Sequence, residues 1–382
     1  MLDFDAMNCS FLSDMAHISA DAWNRLSGPQ PFLRHEFLSA LEKSGSVGPG
    51  TGWQNESLMV YEGSVLQALV PLYRKTHSYG EFVFDWAWAR AYAQAGLRYY
   101  PKLISAVPFT PATGHRLLLA TEKDRAEMTG FVGTVLRERA QATGASSVHW
   151  LFPTSPESDL LQGQGFLRRT GFQFHWTNEG WASFEDFLSA LSAPKRKNIK
   201  RERRQVRDAG VCYSFYEGEA LHAGLLDAFY DLYVATISKY GSTAYLTRPF
   251  FSLLADTVPG VVLLMATVGS ETVAGALFFR DEQTLYGRYW GALASISGLH
   301  FETCYYQALD YCFTHGLRRF EAGAQGPHKL SRGFLPVPTY SLHWLCHAQF
   351  NHAVADFLRR ENDGLEYTLN ELKDHSPFHK MS

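Results

Sequence analysis

The sequence predicts an α/β (α+β) protein. Three observations carry that prediction: short apolar strands alternate with helical stretches, the two halves repeat one order of elements, and 46% of the 382 residues are hydrophobic, enough to fill two cores. In the first half, strands over 58–61 and 65–73 flank the turn Glu62-Gly63-Ser64, and an aromatic strand over 82–88 follows. In the second half, strands over 261–268 and 272–280 flank Gly269-Ser270-Glu271, and Asp281-Glu282-Gln283 turns the chain into a strand over 284–291. Gly and Ser at these turns predict antiparallel meanders. Each meander leads to a helix, a glycine stop and a short strand: 122–142, Gly144 and 147–152 in the first half, then 300–315, Gly316 and 318–322 in the second. The expected organisation is a domain over 1–180, a basic connecting helix over 181–210 and a second domain over 211–382.

Charge narrows the function. With 35 Lys and Arg against 38 Asp and Glu, the net charge is −3, so the chain as a whole has no electrostatic reason to seek nucleic acid or an anionic membrane. The N-terminus is acidic where a signal peptide would need basic residues, and the longest largely apolar stretch, 261–268, is far below membrane-spanning length. Five scattered cysteines without a Cys-x-x-Cys fit a reducing compartment, so the expected location is the cytoplasm.

The exception to this balance is the segment 195–207, with eight basic residues and one acidic, a local charge of +7. At about 100° per residue, Ile199, Val206 and Ala209 form a narrow apolar stripe, while Arg196, Lys197, Lys200, Arg203, Arg204 and Arg207 fill the opposite side. Pro194 suits the first helical turn and Gly210 follows the end. Like charges at i,i+4, as in Arg196–Lys200–Arg204, repel, which a plain solvated face would avoid by mixing signs. A phosphate-bearing partner offsets that repulsion, with RNA, a nucleotide-linked substrate and CoA all open at this point.

Two further stretches hold chemistry. His300 and Glu302 lie at the start of the 300–315 helix, where unpaired amides favour anions. The stretch from Phe320 to Gly333 runs from a strand end into a Gly-rich loop carrying Glu321, Gln325, His328, Lys329 and Arg332, a set with both acid–base and anion-holding groups. Asp85, beside Trp86 in the aromatic 82–92 stretch, needs a partner or water, and can face a cleft. His343, Cys346 and His347 do not complete a four-ligand zinc set, so no metal is expected. No Gly-x-Gly-x-x-Gly follows a strand, and no Walker loop or Gly-x-Ser-x-Gly elbow is present, which removes dinucleotide redox, NTP hydrolysis and serine-hydrolase chemistry.

The basic 195–201 segment, the strand Leu285-Tyr-Gly-Arg288-Tyr289-Trp-Gly291, the run Gly298-Leu-His-Phe-Glu-Thr-Cys-Tyr305-Tyr-Gln307 and the loop Phe320-Glu-Ala-Gly-Ala-Gln-Gly326 with His328-Lys329 together resemble the bacterial FemAB-like proteins. The resemblance runs from about residue 32 to 361. It implies two tandem GNAT-like (acyl-CoA N-acyltransferase fold) domains with a cleft between them. It also implies an acyl or aminoacyl transferase moving an aminoacyl group from aminoacyl-tRNA to an amine, such as one on a peptidoglycan precursor. No permanently bound cofactor is implied, and a lipid-linked acceptor would bring peripheral membrane contact without a transmembrane segment. The alternatives are acetyl-CoA-dependent N-acetylation and a non-catalytic binder of cell-wall precursor or RNA. Two departures bear on the donor. The 291–298 loop lacks the paired glycines with which GNAT enzymes cradle a pyrophosphate, and the long helical hairpin that several FemAB-type transferases associate with tRNA is not visible.

For aminoacyl transfer the expected catalytic groups are Glu302 or Glu321 relaying the amine proton, Lys329 stabilising the oxyanion and His300 or His328 acting as acid. Arg288, Tyr289, Tyr305, Gln325 and Arg332 position substrate, with Asp85, Trp86 and His328 among the expected substrate contacts.

Overall fold

In the computed structural model, residues 6–120, 125–239, 241–324 and 326–379 are described, and they form a mixed α/β chain. The chain divides into two compact units, Met1–Phe172 with Pro338–Thr368, and Gln173–Val337 with Leu369–Ser382. This is not the linear 1–180 and 211–382 division expected from the sequence. The boundaries fall inside two long strands, Leu167–Thr177 and Leu335–Leu345, and residues 338–368 return to the first unit. The basic helix is part of the second unit rather than a connector.

The expected duplication appears in each unit's local structure. The hairpins Ser57–Glu62/Val65–Val70 and Val261–Val268/Glu271–Arg280 turn on Gly63 (φ 60°) and Gly269 (φ 59°), left-handed conformations that favour glycine. Both carry a bulge at the same offset, between Val60 and Tyr61 and between Ala266 and Thr267. In the first unit the strand Lys102–Ser105 runs parallel to Ser147–Leu151, with the helix Arg125–Ala142 between them in sequence. In the second, Thr284–Ala292 runs parallel to Arg319–Glu321, with a helical stretch over 299–314 between them.

Two sequence expectations fail in the first unit. The strand expected over 65–73 is broken at Pro71, which cannot donate to a ladder. Val65–Val70 pairs within a four-stranded sheet (order Met7–Leu12, Ser57–Glu62, Val65–Val70, Leu118–Leu119), while Leu72–Lys75 pairs with Trp53–Asn55 and Lys102–Ser105. The aromatic strand expected over 82–88 does not form: 81–85 is loop and Trp86–Gln94 is helix. Its alternating aromatics have another origin, described below.

The first unit's main core joins Leu58, Val60, Leu103, Met128, Val132, Leu136, Val148 and Trp150, with Leu342 from the returning segment. The second unit orders its strands as Val211–Glu217, Val261–Val268, Glu271–Arg280, Thr284–Ala292, Arg319–Glu321 and the 175–177 end of Leu167–Thr177. Against this sheet lies the helix Ala223–Lys239, whose Leu232 backbone sits 2.2 Å from where a Cβ on Gly291 would stand. Only glycine permits that approach. No helix among the described residues is long and apolar enough to cross a membrane.

Candidate active site

The basic helix spans Ala193–Asp208 with Pro194 in its first turn. Ile199 and Val206 are buried as the apolar stripe predicts, but Ala209 is exposed because the helix has ended by then. The cationic face is less uniform than the sequence implied. Arg196 points its Nη1 at the carbonyls of Leu188, Ser189 and Leu191, at 3.4, 3.3 and 3.1 Å, closing the end of the helix Phe184–Ala190. Arg203 turns inward to two carboxylates, Lys200 pairs with Glu185, and Arg207 lies 3.7 Å from Asp208. Helical geometry separates the six residues further: Lys200, Arg203, Arg204 and Arg207 line a cavity of about 510 Å³, while Arg196 and Lys197 do not.

The far wall of this cavity is Tyr213, Glu302 and Gln307. Glu302 opens a π-helical turn, Glu302–Tyr306, set between the α-helical Leu299–Phe301 and Gln307–Thr314. The wider turn departs from the α-helical register expected over 300–315, and such turns are frequent at functional sites. Glu302 is 3% exposed. Its Oε1 accepts from Arg203 Nε at 3.1 Å and from Gln307 Nε2 at 2.8 Å, while Oε2 meets no hydrogen-bond partner among the described residues. Burial raises its pKa, and the Arg203 guanidinium opposes that rise. Arg203 is itself held by Asp310 at 2.6 Å. The result is a carboxylate fixed through one oxygen, with the other unclaimed.

A second group of expected residues clusters around the 3-10 turn Pro327–Arg332. Lys329 is 2% exposed and donates to the Gly323 carbonyl at 2.8 Å; desolvation pushes its pKa down to about 8. His328 Nε2 lies 3.0 Å from the Tyr305 hydroxyl, and the His300 ring stands 5.4 Å from Tyr305 and 6.0 Å from His328. Burial lowers His300 to about 4, with the His328, Arg332 and Lys329 charges adding to the effect, so its ring is neutral at pH 7. Neutral imidazole accepts a proton more readily than it supplies one.

Arg332 serves the architecture. It stacks on Phe301 at 3.4 Å, donates to the Tyr306 hydroxyl at 2.9 Å and grips Glu202 at 2.8 and 3.0 Å. Glu202, the one acid within 195–207, is therefore the anchor tying the basic helix to this turn. Arg288 is half-buried over the Tyr289 ring at 5.4 Å, and Tyr289 packs on Tyr233 at 5.6 Å. Glu321 is buried on the strand Arg319–Glu321. Gln325 lies outside the described residues. Asp85 and Trp86 belong to the first unit.

Sequence reasoning missed Tyr213, Gln307 and Asp310. Tyr213 alternates with Cys212 and Ser214 on a half-exposed strand and carries no motif, yet its hydroxyl sits 3.1 Å from Thr303 Oγ1 at the cavity wall. No group of three or more His, Cys, Asp or Glu that could hold a metal occurs among the described residues.

FemX shares the fold with a TM-score of 0.55 at 10% identity, over 91% of this chain and 100% of FemX. The C-terminal domain of a protein described as a lysylphosphatidylglycerol synthetase, from Agrobacterium fabrum, aligns with a TM-score of 0.53 at 9% identity, over 90% of this chain and 95% of that domain. A tandem GNAT protein from the clavulanic acid biosynthesis pathway aligns at 10% identity and a TM-score of 0.47, over 89% of this chain and 99% of that one. No curated protein matches the sequence. The fold is thus the one shared with FemX and with the Agrobacterium fabrum domain. The FemAB-like family, described by peptidoglycan biosynthesis and recognition, matches residues 14–380, and the chain belongs to it.

Proposed function

We propose that the protein is an acyltransferase that moves an aminoacyl group from aminoacyl-tRNA to an amine, the acceptor being a peptidoglycan precursor. The observation that carries this reading is the cavity of about 510 Å³ in which Lys200, Arg203, Arg204 and Arg207 face a buried carboxylate with one free oxygen. Phosphates suit the cationic wall and an attacking amine suits Glu302. In the reaction the amine nitrogen adds to the ester carbonyl, the carbon–oxygen bond to ribose breaks, and the proton lost by nitrogen ends on the ribose oxygen. On this reading Glu302 takes that proton first. Lys329, on the Pro327–Arg332 turn and outside that cavity's lining, is on this reading the oxyanion donor while cationic below pH 8, a contribution of about 2.7–4 kcal/mol for one donor. Its cationic form is lost as pH rises through about 8, so kcat on this reading falls at alkaline pH, and Lys329→Met abolishes the fall together with most of the rate.

The deciding experiment incubates the protein with radiolabelled aminoacyl-tRNA or radiolabelled acetyl-CoA and a peptidoglycan precursor. Label moving from tRNA supports the reading; label moving only from acetyl-CoA replaces it with N-acetylation. The cationic wall has its own test. Binding of single-stranded RNA ends follows a slope of log K against log[salt] of about −0.7 per phosphate neutralised, so Lys200→Glu with Arg204→Glu flattens the slope by about 1.4. The unfolding midpoint stays put, because both side chains are exposed. An unchanged slope removes the helix from donor binding.

A further inference from the structure

The first unit carries a loop whose construction the transfer reading does not use. Over 78–85 the inward groups are tied down one after another. Ser78 Oγ is 2.8 Å from both the Tyr100 hydroxyl and Lys102 Nζ. The Tyr79 carbonyl accepts from Lys75 Nζ at 3.2 Å, and the Gly80 carbonyl from the Phe109 amide at 3.2 Å. Glu81 accepts from Lys102 Nζ at 2.8 Å, and the Phe84 carbonyl from Arg169 at 2.7 Å. Asp85 pairs with Lys102 and accepts from the Tyr99 hydroxyl at 2.6 Å. Lys102 is fully buried, so one desolvated ammonium rivets three side chains of the loop.

What the rivet holds outward is aromatic. Tyr79 is 54% exposed, Phe82 37% and Phe84 55%, and Trp86, half-buried, sits 5.0 Å from the Tyr79 ring. Glu81 and Asp85 lie inward, while Phe82 and Phe84, two of the alternating aromatics that suggested a strand, lie outward. Phe82 adopts φ 59°, a strained left-handed conformation for a residue with a Cβ, and Gly80 adopts φ 79° with the Phe109 ring 2.6 Å from where a Cβ would stand. Such strain persists only where the surroundings over-determine it, and here they do.

We propose that this preorganised loop is a glycan-binding platform, on which Tyr79, Phe82, Phe84 and Trp86 stack against the C–H faces of pyranose rings. Its chemistry favours that occupant over others. Residues 76–86 contain no Lys or Arg, and both their acids are buried, so the surface offers nothing to a charged partner or an anionic lipid headgroup. Three exposed rings on an eleven-residue stretch fall short of the roughly 800 Å² per side of a stable protein interface. They match one or two sugar rings. Asp85 then acts as a positioning residue, through Lys102 and the loop backbone, while Trp86 touches ligand. For the identity of the glycan the proposal rests on the acceptor being a peptidoglycan precursor; its test reads binding without transfer, so either reading can fail alone.

The experiment follows aromatic and amide NMR shifts of the full chain during titration with chitobiose, the N-acetylglucosamine disaccharide. The expected result is saturable shifts confined to 76–92, weakened at least about tenfold by Tyr79→Ala with Phe84→Ala at an unchanged unfolding midpoint. These positions are exposed, so the variant folds. Absence of saturable shifts, shifts located elsewhere, undiminished binding by the double variant, or binding to neutral lipid vesicles in place of sugar each overturns the proposal.

Discussion

Glu302→Gln lowers the transfer rate about 10²–10⁴-fold while the protein remains folded. The amide preserves the side chain's volume and still presents an oxygen to Arg203 and Gln307, so the loss falls on proton transfer. Arg203 keeps Asp310 at 2.6 Å as its counter-charge, which spares it the isolation that removing a sole partner would impose. Single-turnover measurement with preloaded aminoacyl-tRNA separates the two effects, because tRNA affinity stays within about twofold while the chemical step slows. A variant with parental single-turnover rate removes Glu302 from the mechanism; a collapse in the unfolding midpoint assigns it to the fold instead.

Lys102→Met is expected to have the largest effect on stability, about 3–5 kcal/mol, because it leaves two carboxylates buried without their ammonium. The sign of its pH dependence follows from the two acids. Burial raises Asp85, but the Lys102 charge outweighs it and holds the carboxyl down at about 2, so the pairing stabilises the fold above the ordinary aspartate pKa and is lost as pH falls through about 2. Glu81 moves the other way, raised to about 7 by burial despite Lys102, so its ionisation weakens the fold as pH rises from about 4.5 to 7. Without Lys102 both acids favour their protonated forms. Chemical denaturation of parent and variant should therefore show a gap widest above pH 7 that narrows toward pH 5. A gap independent of pH means that lost packing, not unpaired charge, causes the destabilisation.

Much of this architecture was legible in the residues, for reasons that differ from place to place. Gly63 and Gly269 announced the duplicated hairpins because few other residues enter the left-handed region, and Ile199 with Val206 located the buried stripe of the basic helix. Glu302 stood out as a helix-start acid. Pro71 was readable in principle, since a proline inside a strand interrupts its ladder, but the apolar run around it masked the break. The Phe82–Trp88 stretch misled because an alternation of polar and apolar side chains needs only an inside and an outside, and a riveted loop supplies both without a neighbouring strand. Charge was the least readable property. Arg196 and Arg203 look like their neighbours in sequence, and only the tertiary positions of Leu191, Glu302 and Asp310 turn them from ligand-facing cations into a helix cap and an internal counter-ion. Lys102 left no signal at all: its partners lie on a loop about twenty residues upstream, with nothing periodic between them.

The return of residues 338–368 to the first unit has a bearing on how the chain is made. Emerging from the ribosome N-terminus first, the first unit lacks Leu342 in its main core, and lacks Leu345, Val354 and Leu358 beside Trp88, Tyr92 and Tyr99, until residues 342–358 have been synthesised. The strand Ser147–Leu151 meanwhile offers an open edge where Ser341–Leu345 will dock. The contiguous body of the second unit, 173–337, is complete before that strand arrives. Neither unit therefore closes in simple vectorial order: the first waits for 338–368 and the second for 369–382, whose Phe378 stacks on Trp181, and until then the Ser147–Leu151 edge is the place where a chaperone has most to guard.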